Sequence, residues 1–200
     1  RGKNKQTTRS RDDQKRADDL VKRNFNADRP DQLWVSDFTY IQTHSGWVYT
    51  AFIIDVFSRA IVGWKVSTRM NTDMVLDALE QALHDRGMPK NVIHHSDRGV
   101  QYLSIRYTNR LEAANLRASV GTTGDSYDNA LAETVNGLYK TEVIEYLKAD
   151  WQGLADVQLA TLNWVDWFNK KRVHSALGYV SPFEFEAMYY DKINPLGQVA

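Results

Sequence analysis

Cysteine is absent from this chain of 200 residues. That excludes disulfide staples, thiolate zinc sites and a cysteine nucleophile, and it is compatible with a reducing cytoplasm. Long hydrophobic runs are missing as well. The longest, near residues 48–54, is too short to cross a bilayer, and Asp55 ends it. No basic-then-apolar leader opens the sequence. There is no G-x-x-x-x-G-K-[ST] loop to cradle nucleotide phosphates and no G-x-S-x-G nucleophile elbow. Nor is there a net charge: 25 Lys and Arg balance 25 Asp and Glu. That balance excludes a dedicated polycation, but not basic patches offset by acids held elsewhere.

What is present describes a globular protein. Hydrophobic residues make up 42% of the chain, with six Trp and ten Tyr, enough for one domain with a core and a tail. The charges are uneven. Residues 1–16 hold seven Lys or Arg against two acids. Residues 1–29 therefore read as a basic tail or linker with a short helix near 12–23, either a solvated arm or one that touches DNA. A chain that begins with Arg reads as part of a longer product.

Beyond the tail, β-branched and aromatic runs predict strands at 33–42, 47–55 and 60–67, with Thr43-His44-Ser45-Gly46 as a turn. Helical spacing of Met74, Leu76, Ala78, Leu79, Ala82 and Leu83 predicts a helix over 72–86, stopped by Gly87 and Pro89. Short strands at 91–96 and 116–120 flank a helix near 104–114. Further helices are expected over 129–148 and 154–169, with a last short one after Pro182. Three antiparallel strands followed by alternating helices and strands imply an α/β fold: a mixed sheet of five strands flanked by helices. The divisions expected are the tail at 1–29, a core at 30–150 and a C-terminal helical extension at 151–200.

Three acids stand out by position. Asp37 lies mid-strand, where Asp is disfavoured, on the face shared by Leu33, Val35 and Thr39. A charge there is costly unless it is paired or bound to a cation. Asp97 closes a strand beside Gly99, and strand carboxyl ends are common ligand sites in open sheets. Glu133 opens a helix, with 35 residues between it and Asp97. On that helix Leu131, Val135, Leu138 and Glu142 follow one stripe. Glu133 shares the opposite, polar side with Asn129, Asn136, Gly137 and Lys140. Three convergent carboxylates make a hard-oxygen site suited to magnesium and to cutting and joining phosphodiesters.

Other polar residues have plainer roles. Asp128 and Asn129 suit a helix N-cap. Asp55, with Ser58 and Arg59, suits a hairpin corner. His94 and His95 lack the partners of a zinc set, which leaves one imidazole for a contact with DNA or with a water near the metals. In 154–168 the helically spaced Leu154, Val157, Leu162, Trp164, Val165 and Phe168 read as packing. Asn169, Arg172 and His174 read as scaffold in a turn.

The sequence resembles the D,D-35-E integrase core of bacterial insertion-sequence transposases, relatives of retroviral integrases. The matching pieces begin with Trp34-Val35-Ser36-Asp37-Phe38-Thr39-Tyr40, Asp55-Val56-Phe57-Ser58-Arg59 and Val62-Gly63-Trp64. His95-Ser96-Asp97-Arg98-Gly99-Val100-Gln101-Tyr102 and Tyr127-Asp128-Asn129-Ala130-Leu131-Ala132-Glu133 follow. Lys140-Thr141-Glu142, Phe168-Asn169-Lys170-Lys171-Arg172-Val173-His174-Ser175-Ala176-Leu177-Gly178 and Ser181-Pro182 complete the set. Val173 stands where the family often has Pro, and Gly121-Thr122-Thr123-Gly124 where it often has a basic residue.

The resemblance implies a ribonuclease-H-like fold and transposition by Mg²⁺-dependent strand cleavage and transfer. It implies Asp37, Asp97 and Glu133 as the catalytic, metal-binding triad for two Mg²⁺ ions, with Mn²⁺ as a substitute. Asn136, Lys140 and Arg172 are the candidate DNA contacts. The expected partners are element ends and target DNA, a homo-oligomer on that DNA and an upstream helix-turn-helix region, in the bacterial cytoplasm with no membrane association. Two alternatives use the same residues: a hydrolytic nuclease of the same fold, and a non-catalytic DNA-binding fragment of a degenerate element.

Overall fold

The computed structural model describes residues 17–22, 24–97, 99–121, 130–147 and 150–194. Five strands form one mixed sheet in the order β3-β2-β1-β4-β5. They are β1 (Leu33–Thr43), β2 (Gly46–Asp55), β3 (Ile61–Ser67), β4 (Ile93–Ser96) and β5 (Arg117–Val120). The first three run antiparallel, whereas β4 and β5 lie parallel to β1. Among the described residues five α-helices accompany them: α1 (Thr72–Asp85), α2 (Ile105–Ala113), α3 (Ala130–Tyr139), α4 (Leu154–Lys170) and α5 (Pro182–Ile193).

Strand alternation sorts the core into two layers. On one face Leu33, Val35, Phe52 and Ile54 meet Ala132, Val135 and Tyr139 of α3 and Trp164, Val165 and Phe168 of α4. On the other, Trp34, Ala51, Ile53 and Val62 meet the apolar stripe of α1 and Tyr107 and Leu111 of α2. α1 lies so close to β3 that a Cβ at Gly63 would stand 2.3 Å from the Ala78 carbonyl oxygen. The expected helical extension is thus built into the core through α4. Val21 is buried and Phe25 packs against the same cluster, so the end of the presumptive tail lies on the domain. Residues 17–22 are not helical, and the rest of the short helix expected near 12–23 lies outside the described residues.

Helix starts follow local chemistry. Asn71 caps α1 by accepting from Met74 N, and Ser104 caps α2 in the same way. Ser181 and Glu184 form a capping box on α5, with Pro182 in its first turn. The exposed edge at β3 is also managed. Asn169 Oδ1 accepts from Ile61 N at 2.9 Å and its Nδ2 donates to Ile61 O at 2.8 Å. Gln81 Oε1 accepts from Trp64 N at 2.8 Å. Side chains thereby cap backbone groups through which another strand could pair.

The two adjacent histidines of β4 are both interior, 1% exposed each, so neither imidazole faces solvent for a DNA contact. His95 Nδ1 lies 2.9 Å from Ser119 Oγ, and its ring meets Phe25 edge-on. His94 Nε2 lies 3.0 Å from the Tyr107 hydroxyl. Burial, reinforced by His95, pulls the His94 pKa from 6.5 down to about 3. Below pH 6.5 the unfolded chain takes up a proton that the folded one refuses. Stability is therefore fully present above 6.5 and lost as pH falls toward 3. Relative to a His94→Phe variant, the parent is expected to lose about 2 kcal/mol between pH 6.5 and about pH 5. Urea unfolding across that range reads the difference, and parallel profiles for the two proteins would refute it.

Candidate active site

Pairing between β1 and β4 ends at Ser36↔Ser96. Asp37 is the next residue of β1 and Asp97 follows the last residue of β4, so the two acids come side by side where these strands part. Asp37 keeps its pairing with Phe52 of β2 and is therefore fixed in the sheet. Its Oδ1 accepts from Phe38 N at 2.8 Å and its Oδ2 from Asn136 Nδ2 at 2.8 Å. Burial holds the Asp37 pKa up at about 6, the Asp97 and Glu133 charges push the same way, and the Phe38 and Asn136 hydrogen bonds oppose them.

Asp97 is exposed, and its Oδ1 accepts from Gly99 N at 2.9 Å. A Cβ at position 99 would come within 2.9 Å of that same oxygen and 3.2 Å of Gln101 Oε1, so any larger residue there would push the Asp97 carboxylate from its present position. Glu133 is exposed on the first turn of α3. Asn136 lies about one turn further along the helix, and its bond to Asp37 ties that helix to β1. Among the described residues, no three His, Asp or Glu side chains lie close enough to enclose a metal ion. The acids are near enough for the Asp97 and Glu133 charges to act on Asp37, but not drawn together. As a donor set they suit a hard divalent cation, which would relieve the mutual repulsion recorded at Asp37.

Asn136 sits differently from its expected place on a polar face. It is 8% exposed, with its Oδ1 unpartnered among the described residues, and the buried stripe of α3 is Ala132, Val135, Asn136 and Tyr139. A polar residue in that stripe was the available sign of an inward role, since a buried amide needs a partner. α3 ends at Tyr139, and the chain continues as a π-helix over Lys140–Glu145 where one long α-helix was expected. Such wider turns are rare and change the phase of the side chains. Lys140, at its start, places Nζ 4.9 Å from the centre of the Tyr40 ring.

Arg172 is turned inward. Its Nε and Nη2 donate to Glu142 Oε1 at 3.0 and 2.6 Å, and Glu142 also accepts from Trp164 Nε1 at 2.9 Å. The guanidinium lies 5.7 Å from the Phe168 ring centre. The arginine thus joins the segment after α4 to the π-helix. Asn169 is buried against β3, as its scaffold reading implies. Arg98 and the expected caps Asp128 and Asn129 lie outside the described residues.

Sheet order, with helices on both faces, defines a ribonuclease-H-like fold. Residues 27–126 match a family described as integrase core domain, and residues 114–182 match a second integrase core domain family. The chain is 56% identical over 193 residues to the transposase for insertion sequence element IS629 of Shigella sonnei, covering 96% of this chain and 64% of that one. It is 51% identical over 195 residues to a putative transposase for IS986/IS6110 of Mycobacterium tuberculosis, covering 95% and 70%. The catalytic core domain of HTLV-2 integrase in complex with magnesium, in a trimeric form, superposes with a TM-score of 0.64 at 18% identity, covering 80% of this chain and 99% of that one. The chain belongs to the integrase core domain family and to its insertion-sequence transposase branch.

Proposed function

We propose that this chain is the catalytic core of a transposase that cleaves DNA strands at the ends of an insertion sequence and joins them to a target. The carrying observation is that Asp37, within β1, and Asp97, just past the end of the parallel neighbour β4, follow the last pair joining those strands, with Asn136 tying the helix of Glu133 to Asp37. The transposase names of the relatives support the same reading.

Asp37, Asp97 and Glu133 would hold magnesium, in the two-ion form, with manganese as a substitute; magnesium is the ion in the HTLV-2 integrase core. When bound, the metal supplies Lewis-acid polarisation of the phosphodiester and a more acidic attacking oxygen. The remaining work falls to the protein. Phe38 N and Asn136 Nδ2 each hold one oxygen of Asp37 and so set its orientation. Gly99 N holds one oxygen of Asp97. Lys140, which has no ion-pair partner among the described residues, takes a backbone phosphate. The DNA contact rests on Lys140 rather than on Arg172, whose charge is matched by Glu142. Assembly as a homo-oligomer on DNA, recognition of element ends by an upstream helix-turn-helix region and action in the bacterial cytoplasm complete the proposal. No helix among the described residues is long and apolar enough to cross a membrane.

The deciding experiment supplies the protein with Mg²⁺, labelled element ends carrying a free 3′-hydroxyl and a plasmid target. Covalent joining is expected. Hydrolysis without joining would instead identify a nuclease. For Lys140→Ala, duplex affinity should fall about equally for all sequences, and the slope of log affinity against log salt should shrink by about one. An unchanged slope would place Lys140 outside the DNA contact.

A further inference from the structure

The β1–β2 hairpin presents two large aromatic side chains to solvent: Tyr40 is 55% exposed and Trp47 50%. Tyr40 pairs with Tyr49, and Gln42 with Trp47, so Tyr40 and Trp47 are diagonal neighbours on one face of the sheet. Their ring centres are 5.3 Å apart at 82°. An edge-on aromatic pair steadies a hairpin, and that accounts for their contact. It does not account for leaving half of each residue in water.

Two further observations give the exposed pair a direction. β4 ends at Ser96, so among the described residues no strand pairs with β1 on that side beyond Ser36. Lys140, from the layer covering the opposite face, reaches past this open edge to Tyr40. Among the described residues no carboxylate neutralises Lys140, so a positive charge and exposed π surface occur together. Lys140 links this pair to the candidate active site. Tyr40 is on the strand of Asp37 but on its other face, whereas Lys140 comes from the Asp37 side, about one turn beyond Asn136, the residue bonded to Asp37.

We propose that Tyr40 and Trp47, with Lys140, form a stacking shelf for an unpaired DNA base beside the phosphodiester that reacts. The proposal rests on the transposase reading above and adds to it a preference for splayed ends. Bases inside a duplex have their faces covered by neighbours; a frayed or overhanging base offers one. Stacking on aromatic side chains accepts any base, and the ammonium group holds the adjoining phosphate.

The test needs no element sequence. The whole chain is titrated with a duplex bearing a short single-stranded overhang that contains 2-aminopurine, and with the blunt duplex. Stacking is expected to quench the 2-aminopurine and to favour the overhang about tenfold or more. Tyr40→Ala and Trp47→Ala should each remove most of that preference and quenching, whereas Tyr40→Phe should keep both. Urea unfolding establishes that each variant is folded; if Tyr40→Ala does not fold, Trp47→Ala and the parent's quenching decide. Equal binding of both duplexes by the parent, or an undiminished preference in folded alanine variants, would reduce the pair to a hairpin contact and leave the transposase reading intact. Failure of the parent to bind either duplex would overturn both.

Discussion

Asp37→Asn is expected to yield a folded, DNA-binding protein that no longer joins strands. The substitution keeps the size of the side chain and one carbonyl oxygen, so pairing between β1 and β2 is undisturbed. It removes the negative charge that a divalent cation requires at the one acid of the three fixed within the sheet. Lewis-acid stabilisation of a phosphoryl transition state is worth several kcal/mol, so joining should fall by about a thousandfold or more. The fold should not weaken in step. Burial disfavours the ionised Asp37 and holds its pKa up at about 6; the amide carries no such penalty. Urea unfolding should therefore show a midpoint no lower than the parent's. Joining within tenfold of the parent would remove Asp37 from the metal site, and an unfolded variant would assign it a structural role.

Arg86→Ala is expected to cause the largest loss of stability. Its guanidinium, with a side chain 13% exposed, lies at the end of α1 among carboxylates from three other segments. Nε donates to Asp31 Oδ1 at 2.8 Å. Nη1 and Nη2 donate to Glu186 Oε2 and Oε1 at 2.7 and 3.1 Å. Glu186 accepts in turn from Ser58 Oγ at 2.6 Å. Asp55 is fully buried and accepts from Asp31 N at 2.7 Å and Ser58 N at 2.9 Å. One cation thus joins α1, the approach to β1, the turn before β3 and α5. Its removal leaves buried acids facing one another, a change that typically costs about 3–5 kcal/mol.

The pH dependence of that loss has a definite sign. Burial already raises Asp55 to about 6, the Glu186 charge adds to it and Arg86 works against it. Without Arg86, Asp55 becomes harder still to ionise. A carboxylate raised in the folded state contributes stability that is present below its unfolded pKa and lost as pH rises through the folded value. The gap between Arg86→Ala and the parent should therefore narrow as pH falls from about 7 to about 5. A loss below about 1 kcal/mol at neutral pH would show that the network is not a structural joint. Arg86→Met combined with Glu186→Leu should lose less than Arg86→Ala, because the buried Glu186 charge is removed with its partner and Asp31 keeps its bond from Trp34 Nε1.

Much of the architecture was legible because its determinants are local. Alternation marked β1 and β2 to within a residue or two of their ends, and a 3.6-residue period marked α1 and α4. Asp37 was conspicuous because an acid in mid-strand contradicts its surroundings. Arg172 and Asn136 were harder to place because an exposed contact and an inward hydrogen bond need the same polar residue types. Arg172 is held by Glu142, which lies on a segment remote in sequence. Asn136 lies on the buried side because α3 turns that side toward Asp37. The histidines were ambiguous for a similar reason, since their enclosure depends on Tyr107, Ser119 and Phe25 arriving from other parts of the chain. The π-helical phase change after Tyr139 had no signature in the hydrophobic pattern.

By itself the sequence determined the types of most of its elements, the absence of thiol chemistry and a set of three acids suited to a hard cation. These follow from side-chain chemistry and short-range periodicity, which a linear chain already contains. Tertiary structure alone decided which groups become neighbours. The Ser36↔Ser96 register brings Asp37 and Asp97 to one edge, α3 lends Asn136 to Asp37, and Arg172 and Arg86 are committed to carboxylates within the fold. Such outcomes depend on pairing and packing between distant segments, where a shift of one residue along a strand would send every side chain to the opposite face.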